Sequence, residues 1–242
     1  MPAEETPCKS RIPPSARRDF LLRTIIFANG ECSSPCDPLA WLRPGDRIIA
    51  ADGGARRCLA LGLTPHLLIG DFDSLTAETV ESLRARGAEI RRYPAEKDET
   101  DLELALYAAL EQETEEVLVF GALGGRWDMT LGNLLLLAHP DFREAPIRIV
   151  DGPQSVTLLP RGRAYQVAGQ EGDTVSLIPL GGDAKGVTTR GLRYPLKGGT
   201  LRFGATRGLS NLIVRSPASV TVEDGLLLCL VIANTSPPLP NP

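Results

Sequence analysis

The residues of this chain that could do chemistry are aspartates that follow short apolar runs in its first half. Clustered carboxylates repel one another, so a persistent cluster of them implies a bound cation. Carboxylate oxygens suit Mg²⁺, which binds through one or two carboxylates while substrate phosphates complete its octahedron. The candidates are Asp52 after residues 48–51, Asp71 and Asp73 after residues 67–69, Asp98 and Asp101 after a run that ends at Tyr93, and Asp128 after residues 117–120.

Glycines and basic side chains accompany these aspartates. Glycine lets a backbone approach a phosphate closely, and Lys or Arg can bind the same phosphate through charge-assisted hydrogen bonds. Asp and Gly are also ordinary turn residues, Asp101 could be only a favourable first-turn helix charge, and Arg126 could be only a partner for Asp128. The accompanying residues are Gly53, Gly54, Lys97, Gly124, Gly125 and Arg126.

The elements that must position these residues alternate along the chain. Short β-branched or leucine-rich runs alternate with amphipathic stretches, which predicts an α/β, Rossmann-like parallel sheet with helices on both faces. Because the carboxyl ends of parallel strands share one edge, we expect the aspartates to converge there. A capping box, Thr100-Asp101-Leu102-Glu103, begins one helix. The predicted strands are residues 24–27, 47–50, 66–69, 89–93, 116–120 and 147–150, and the predicted helices are residues 54–62, 76–86, 101–112 and 128–138.

The pattern changes after Asp151. Strand-like runs separated by Gly and Pro turns, with no convincing helix, predict a C-terminal all-β antiparallel sandwich domain. We therefore predict a flexible tail over residues 1–23, an α/β domain over 24–152, a β-sandwich over 153–234 and a second tail over 235–242. The strand-like runs are residues 155–159, 163–167, 174–178, 199–203, 219–222 and 226–232.

Charge divides the chain in the same place. The 242 residues carry 26 Lys and Arg against 30 Asp and Glu, a net charge of −4. Up to Asp151 there are 17 basic against 25 acidic residues, and after it 9 against 5. An acidic chain argues against a nucleic-acid partner, because such proteins carry a clustered basic excess. The asymmetry suggests two parts with different roles.

Membrane association, export and a disulfide framework are all disfavoured. The longest apolar run near the C-terminus, residues 226–233, is far shorter than the ~20 residues that cross a bilayer. Glu4 and Glu5 stand where a signal peptide needs positive charge, and five cysteines are too sparse for a disulfide scaffold. Cys32 and Cys36 have a spacing that zinc accepts, but free thiols are the preferred interpretation. A cytoplasmic location is expected.

Five segments carry a family resemblance. Gly-Asp-x-Asp-Ser alone is weak, but its combination with Lys-Asp-x-Thr-Asp and Gly-Gly-Arg-x-Asp in this order is specific, and the resemblance covers residues 24–233. On these segments the chain resembles the thiamine pyrophosphokinase (thiamine diphosphokinase) family. They are Ala51-Asp-Gly-Gly-Ala55, Gly70-Asp-Phe-Asp-Ser-Leu75, Lys97-Asp-Glu-Thr-Asp101, Gly124-Gly-Arg-Trp-Asp128 and Gly208-Leu-Ser-Asn211.

The resemblance implies an α/β catalytic domain that binds ATP and Mg²⁺, a thiamine-binding β-sandwich, and a homodimer with active sites between the subunits. The implied reaction is an in-line attack of the thiamine hydroxyl on the β-phosphorus of ATP, giving thiamine diphosphate and AMP. Such a transfer needs positioning and charge neutralisation more than covalent chemistry. The general base stays open between a nearby carboxylate and water.

The resemblance also assigns roles to residues of this chain. The implied Mg²⁺ ligands are Asp71, Asp73 and Asp98, while Asp101 and Asp128 complete the acidic site or orient the thiamine hydroxyl. The implied ATP- and phosphate-binding residues are Asp52, Gly53, Gly54, Lys97, Thr100, Gly124, Gly125 and Arg126. The implied thiamine-binding residues are Asp128, Ser210 and Asn211, the last two reaching the site across the dimer.

One residue departs from the family pattern. Met129 follows Asp128, where bacterial members usually have His. Other branches also vary this position, so a histidine there is not an indispensable base, but its substrate contacts are in question. Two alternatives stay open: a pyrophosphokinase that acts on another alcohol, such as a pterin, and a thiamine- or nucleotide-binding protein without turnover. Trp127, inside the same segment, is interpreted as a packing residue.

Overall fold

The structure, a computed structural model, describes residues 22–31 and 37–234. The pair Cys32 and Cys36, the C-terminal tail and residues 1–21 lie outside these ranges. Arg23, which the sequence placed in the N-terminal tail, lies in the first strand and is 6% exposed. Its guanidinium is paired with Asp46 at 2.7 Å, which allows a charged side chain to be buried there. The first strand therefore begins before the predicted boundary at residue 24.

The first half of the described chain is a mixed α/β fold with a parallel sheet. Its strands run in the order β4-β3-β2-β1-β5-β6, all parallel. Every predicted strand and helix of this half has a counterpart within a few residues. The strands are β1 (Leu22–Phe27), β2 (Arg47–Ala51), β3 (Leu67–Gly70), β4 (Glu89–Arg92), β5 (Thr114–Phe120) and β6 (Ile147–Asp151); the helices are α1 (Gly54–Ala60), α2 (Ala77–Ala85), α3 (Asp101–Leu110) and α4 (Trp127–Leu136), with a 3₁₀ helix over Pro38–Trp41.

The inner parallel strands are largely apolar because the sheet is buried there on both faces. Alternate residues of β1 belong to different clusters: Ile26 packs with Ala105 of α3, whereas Ile25 and Phe27 pack with Cys58 of α1. The Phe27 ring also stacks on Phe120 of β5 at 5.6 Å. Burial on both sides removes the polar alternation of a half-exposed strand, which is why these runs could be recognised in the sequence.

The second half is antiparallel and continues the same sheet. β6 turns directly into β7 and pairs with it, and the order continues β7-β13-β9-β12-β8, with β10 and β11 paired to β9. β4 and β8 therefore lie at the two ends of this path. In the described part of the chain no helix follows Asp151, as predicted. The strands are β7 (Gln154–Leu158), β8 (Tyr165–Gln166), β9 (Thr174–Arg190), β10 (Gly199–Leu201), β11 (Asn211–Leu212), β12 (Ser219–Thr221) and β13 (Asp224–Ile232), of which β11 had no predicted counterpart.

The long strand β9 changes partners along its length. Its first part pairs with β13, and its later part pairs with β12 and β10. Where the partners change, Gly181 and Gly186 have φ values of +65° and +64°, which a residue with a side chain rarely adopts. The strands enclose an apolar cluster that includes Val175, Val187 and Val220. One strand therefore pairs with three others around this cluster.

The predicted domain boundary falls between two paired strands. Residues 152 and 153 form the turn between β6 and β7, and these strands pair from Arg148 to Asp151. Val156 of β7 and Leu228 of β13 pack in the cluster that covers one face of the parallel sheet. The division into two domains thus stays a prediction.

Cys58 and Cys229 are buried free thiols. Burial raises the pKa of each to about 12, so both are held as neutral thiols. Among residues 22–31 and 37–234, no helix has the length and apolar composition needed to cross a lipid bilayer.

Candidate active site

Three carboxylates meet at the carboxyl ends of β2 and β3. One oxygen each from Asp52, Asp71 and Asp73 lies within 4.8 Å of the other two. Asp52 follows β2 directly with a φ of +44°, and its backbone N–H donates to the carbonyl of Ile69 in β3 at 2.9 Å. The turn after β2 thereby directs Asp52 toward the loop that follows β3.

The carboxylate of Asp52 is buried and incompletely bonded. The residue is 4% exposed, and its Oδ1 has no hydrogen-bond partner among the described residues. A buried carboxylate oxygen without a donor is costly, so this group gains from a cation. Three oxygen ligands from carboxylates form a donor set that fits Mg²⁺. The residues present therefore fit the metal that the family resemblance implies.

The loop after β3 is anchored by a buried aromatic residue between the two aspartates. Phe72 is 4% exposed, with a φ of +67°, and the guanidinium of Arg92 lies 4.5 Å from the centre of its ring. Arg92 also donates to the carbonyl of Asp71 at 2.8 Å. The backbone N–H of Asp73 donates to Asp71 Oδ1 at 3.1 Å. These contacts hold both carboxylates on one short loop.

Lys97 lies between two acidic residues of the site. Its Nζ is 3.1 Å from Asp101 Oδ1 and 3.7 Å from Asp71 Oδ2. Burial opposes the charge of Lys97, but the two carboxylates outweigh it and raise its pKa. Burial also raises the pKa of Asp101, and the charges of Asp71 and Asp52 add to that rise while Lys97 opposes it. The ammonium thus joins the start of α3 to the loop after β3.

At the start of α3, the structure contains the Thr100 half of the predicted capping box. Thr100 Oγ1 accepts a hydrogen bond from the N–H of Glu103 at 3.2 Å, and Asp101 lies in the first turn. Asp98, predicted as a metal ligand, is exposed on the segment before the helix and is not one of the three clustered carboxylates. Asp52 occupies the third place in that cluster.

A cavity of about 350 Å³ adjoins the carboxylates. Six of the residues predicted for the site line it: Asp52, Thr100, Asp101, Gly124, Gly125 and Arg126. The cavity is also lined by Asn29, Glu31 and Asn133, which were not predicted from the sequence. Asn133 is 7% exposed, and its Nδ2 donates to the carbonyl of Ala122 at 2.6 Å. Asn29 could have been predicted as a site residue from its position just after β1, because the candidate aspartates also follow strands.

Arg126 and Asp128 form an exposed pair at the start of α4. Arg126 Nε donates to Asp128 Oδ1 at 3.1 Å, and the side chains are 73% and 64% exposed. The hydrogen bonds from Arg126 lower the pKa of Asp128 to about 2. Trp127 is 81% exposed, so its prediction as a packing residue was wrong: α4 turns this side chain away from the core. Met129 lines the cavity and is 37% exposed.

Gly53 and Gly54 support the site without lining its cavity. A Cβ at Gly54 would lie 1.9 Å from the carbonyl oxygen of Phe27, and one at Gly53 would lie 2.2 Å from Asn29 Oδ1. These glycines therefore allow α1 to pack tightly against the end of β1. Their predicted phosphate contacts stay a prediction.

Ser210 and Asn211 lie in the antiparallel half, outside the residues that line the cavity. Asn211 is bonded to the backbone of Tyr194 in both directions, accepting from its N–H at 3.0 Å and donating to its carbonyl at 2.9 Å. Ser210 is exposed with a φ of +57°, and its N–H donates to Ser176 Oγ at 3.0 Å. Within the described chain, the structure does not bring either residue to the carboxylate cluster.

The parallel sheet, the carboxylates at its edge and the adjoining cavity define an α/β protein with a site suited to a metal-bound phosphate ligand. The sequence family described as "Thiamin pyrophosphokinase, catalytic domain" matches residues 41–149, and "Thiamin pyrophosphokinase, vitamin B1 binding domain" matches residues 164–227. Thiamine pyrophosphokinase of Bacillus subtilis is 33% identical over 183 residues, covering 75% of this chain and 85% of that protein. The chain belongs to the thiamine pyrophosphokinase family.

Other comparisons agree with this membership. Thiamine pyrophosphokinase 1 of Oryza sativa subsp. japonica is 30% identical over 223 residues, covering 81% of this chain and 83% of that protein. The crystal structure of thiamine pyrophosphokinase from Bacillus subtilis superposes with a TM-score of 0.78 at 28% identity, over 88% of this chain and 100% of that chain. The mixed α/β fold is thus that of the family.

Proposed function

We propose that this protein is an ATP-dependent enzyme that transfers a pyrophosphoryl group from ATP to the hydroxyl of thiamine, giving thiamine diphosphate and AMP. The observation that carries the proposal is the cluster of Asp52, Asp71 and Asp73 beside a cavity of about 350 Å³, in a chain of this family. Carboxylates that hold a metal ion next to a cavity are what a phosphoryl transfer requires.

The carboxylates would hold Mg²⁺, which supplies charge neutralisation at the phosphates when it is bound. Asp52, Asp71 and Asp73 are its ligands in this proposal, with Asp98 as a further candidate. Asp101 adds negative charge at the start of α3, and Lys97 holds it close to Asp71. Oxygen-only ligands from two adjacent loops support this assignment.

Positive groups at the cavity would bind the phosphates. Arg126 lines the cavity and is largely exposed, so a phosphate could replace its present partner Asp128. Lys97 lies among the carboxylates, where it can neutralise phosphate oxygens. Gly124 and Gly125 both have positive φ values, +90° and +67°, which brings backbone to the cavity wall without side chains.

In the transfer, the thiamine hydroxyl oxygen forms a bond to the β-phosphorus and gives up its proton to a nearby carboxylate or to water. The bond from that phosphorus to the α,β-bridging oxygen breaks, so AMP leaves with that oxygen. Asp101 and Asp128 are the residues proposed to orient the hydroxyl. Both lie at helix starts beside the cavity, which supports a positioning role.

We further propose that two copies of the chain form the complete site, with Ser210 and Asn211 of one copy contacting thiamine held by the other. Both residues lie outside the cavity of their own chain. Helix α4, whose start borders the cavity, exposes Trp127, Leu131 and Leu135 at helical spacing. An apolar helix face of this kind needs a partner. A cytoplasmic location stays a prediction.

The experiment that tests the function is a product analysis. Purified protein with Mg-ATP and thiamine should form AMP and thiamine diphosphate in equal amounts. Formation of ADP would contradict the proposed transfer, and so would a folded protein that binds thiamine without turnover. A parallel reaction with a pterin alcohol in place of thiamine should form no AMP; preferential use of the pterin would show a different acceptor.

A further inference from the structure

A hydrogen-bonded network joins three strand-end loops beside the carboxylates. Arg56, in the first turn of α1, donates from Nη1 to the carbonyl of Ser74 at 2.7 Å and from Nη2 to Asn29 Oδ1 at 3.2 Å. Asn29 Nδ2 donates to Ser74 Oγ at 3.3 Å, and Ser74 Oγ donates to Asp73 Oδ1 at 3.1 Å. A continuous path therefore leads from Arg56 to one of the clustered carboxylates.

We propose that Arg56 is a positioning residue, which acts through Asn29 and Ser74 to hold the Asp73 carboxylate in the orientation that binds a divalent cation. This inference rests on the proposed Mg²⁺ site. Asp73 is exposed, in contrast to the buried Asp52, so packing does not fix its side chain. Hydrogen bonds to a metal-binding carboxylate orient it, and losing such a bond typically weakens metal binding 10–100-fold.

The geometry of the network explains why an arginine serves here. A planar guanidinium supplies two directed donors, one for the Ser74 carbonyl and one for the Asn29 amide, whereas the ammonium of a lysine is a single point charge. Two neighbouring arginines are engaged elsewhere: Arg57 donates to the carbonyl of Gly30, and Arg92 donates to that of Asp71. In the described chain, Arg56 is the arginine whose network reaches Asp73.

The test measures metal binding in the full-length protein without nucleotide. Mn²⁺ alone is the probe, and its free concentration is followed by electron paramagnetic resonance. We expect Arg56→Gln to weaken Mn²⁺ binding about 10-fold, and Arg56→Lys to weaken it less, because lysine can keep one of the two bonds. Arg84→Gln, which removes an exposed arginine on α2 paired with Glu81, is the matched control and should bind as the wild type does. The melting temperature of the metal-free Arg56 variants should stay close to that of the control.

Specific outcomes overturn the inference. Wild-type Mn²⁺ affinity in Arg56→Gln would exclude a positioning role, and an equal loss in Arg84→Gln would show a general charge effect. Wild-type affinity in Arg56→Lys would show that charge is sufficient without directed bonds. If Arg56→Gln fails to fold, Ser74→Ala removes the last link of the path and should weaken Mn²⁺ binding in the same direction. Absence of Mn²⁺ binding in the wild type, or binding that does not depend on Asp73, would instead overturn the proposed metal site itself.

Discussion

Three aspartates at the edge of the sheet bring negative charges together where few hydrogen-bond donors balance them. Asp52 is buried with one oxygen unbonded, and Asp71 and Asp73 lie close enough to share a ligand with it. The nearest ammonium, Lys97, is 3.7 Å from Asp71 and closer to Asp101. Such an arrangement opposes folding through like-charge repulsion and is relieved by a cation. In the proposed metal site, these carboxylates would serve binding at the expense of stability.

Replacing Asp71 or Asp73 by Asn should remove activity without unfolding the protein. We expect AMP formation to fall by a factor on the order of 100 or more, since even bonds to metal ligands are worth 10–100-fold. The melting temperature should stay the same or rise, because the repulsion between carboxylates falls. The assay is AMP release beside a thermal melt, with Glu78→Gln on α2 as the control. A large drop in melting temperature would indicate structural carboxylates instead.

The ionisation of Asp128 should depend on Arg126. The pKa of Asp128 is about 2 in the folded protein against an ordinary value of 3.8, so the pair stabilises the fold above pH 3.8 and loses this effect as pH falls toward 2. Arg126→Gln should return the midpoint of Asp128 toward 3.8, followed by carboxyl NMR. The thermal stability at pH 7 should change little because both side chains are exposed. A midpoint that stays near 2 in the variant would refute the ion pair as the cause.

The sequence located the acidic site but not all of its members. Asp52, Asp71 and Asp73 could be predicted to converge because strand ends share an edge. That Asp52, and not Asp98, joins the other two depends on the path of the segment before α3, which no local pattern encodes. Side-chain links such as Arg56 to Ser74 were equally hidden, since they join residues 18 positions apart.

The packing of secondary-structure elements explains why the site needs glycine beside its aspartates. α1 begins directly against the last residue of β1, and the space for a Cβ at Gly54 is already occupied by the Phe27 carbonyl. Glycine here serves the packing of a helix on a strand. The glycines were predicted from the sequence to approach a phosphate, and the contact between α1 and the end of β1 gives a second, structural reason for them.

Gly54→Ala should therefore destabilise the fold. Overpacking at such a contact costs about 1–3 kcal/mol of unfolding free energy. Gly132→Ala is the matched control, because Gly132 lies inside α4 with open space around it and should gain up to about 1 kcal/mol. Urea unfolding measures both variants. Equal effects of the two substitutions would contradict the packing argument.

The exposed side of α4 should mediate self-association. Leu131 and Leu135 are 57% and 58% exposed one helical turn apart, so charging them removes apolar contact area. We expect Leu131→Glu with Leu135→Glu to convert a dimer to a monomer in light scattering and to lower activity. Leu39→Glu, at a 45% exposed leucine of the 3₁₀ helix, should leave the mass unchanged. A wild-type monomer, or a dimeric double variant, would contradict this assignment.

The whole molecule is organised by one continuous path of paired strands. The change from parallel to antiparallel patterning near Asp151 could be predicted from the sequence, but the pairing of β6 with β7 across that point could not. Two strands that are neighbours in sequence have the same apolar pattern whether they pair within one sheet or belong to two separate sheets. The apolar cluster that contains Val156 and Leu228 is built from residues of both halves, so it could not be predicted from either half alone.

The antiparallel half should not fold by itself. A fragment of residues 153–234 would expose Val156 and Leu228, and would lose the bond from Thr157 Oγ1 to the Ile147 carbonyl at 2.8 Å. We expect its amide NMR spectrum to be poorly dispersed, in contrast to that of the full chain. A dispersed spectrum with a cooperative melt would instead establish an independent domain and support the predicted boundary.

The ends of the strand path bear on how the protein behaves when it is concentrated. β4 carries three charged residues in four, Glu89, Arg91 and Arg92, and Arg91 is bound to Glu89 and Glu111. β8, at the opposite end, is two residues long. Charged or very short edge strands are poor templates for a foreign strand. Fibril-like growth through backbone pairing is therefore disfavoured at both ends of the path.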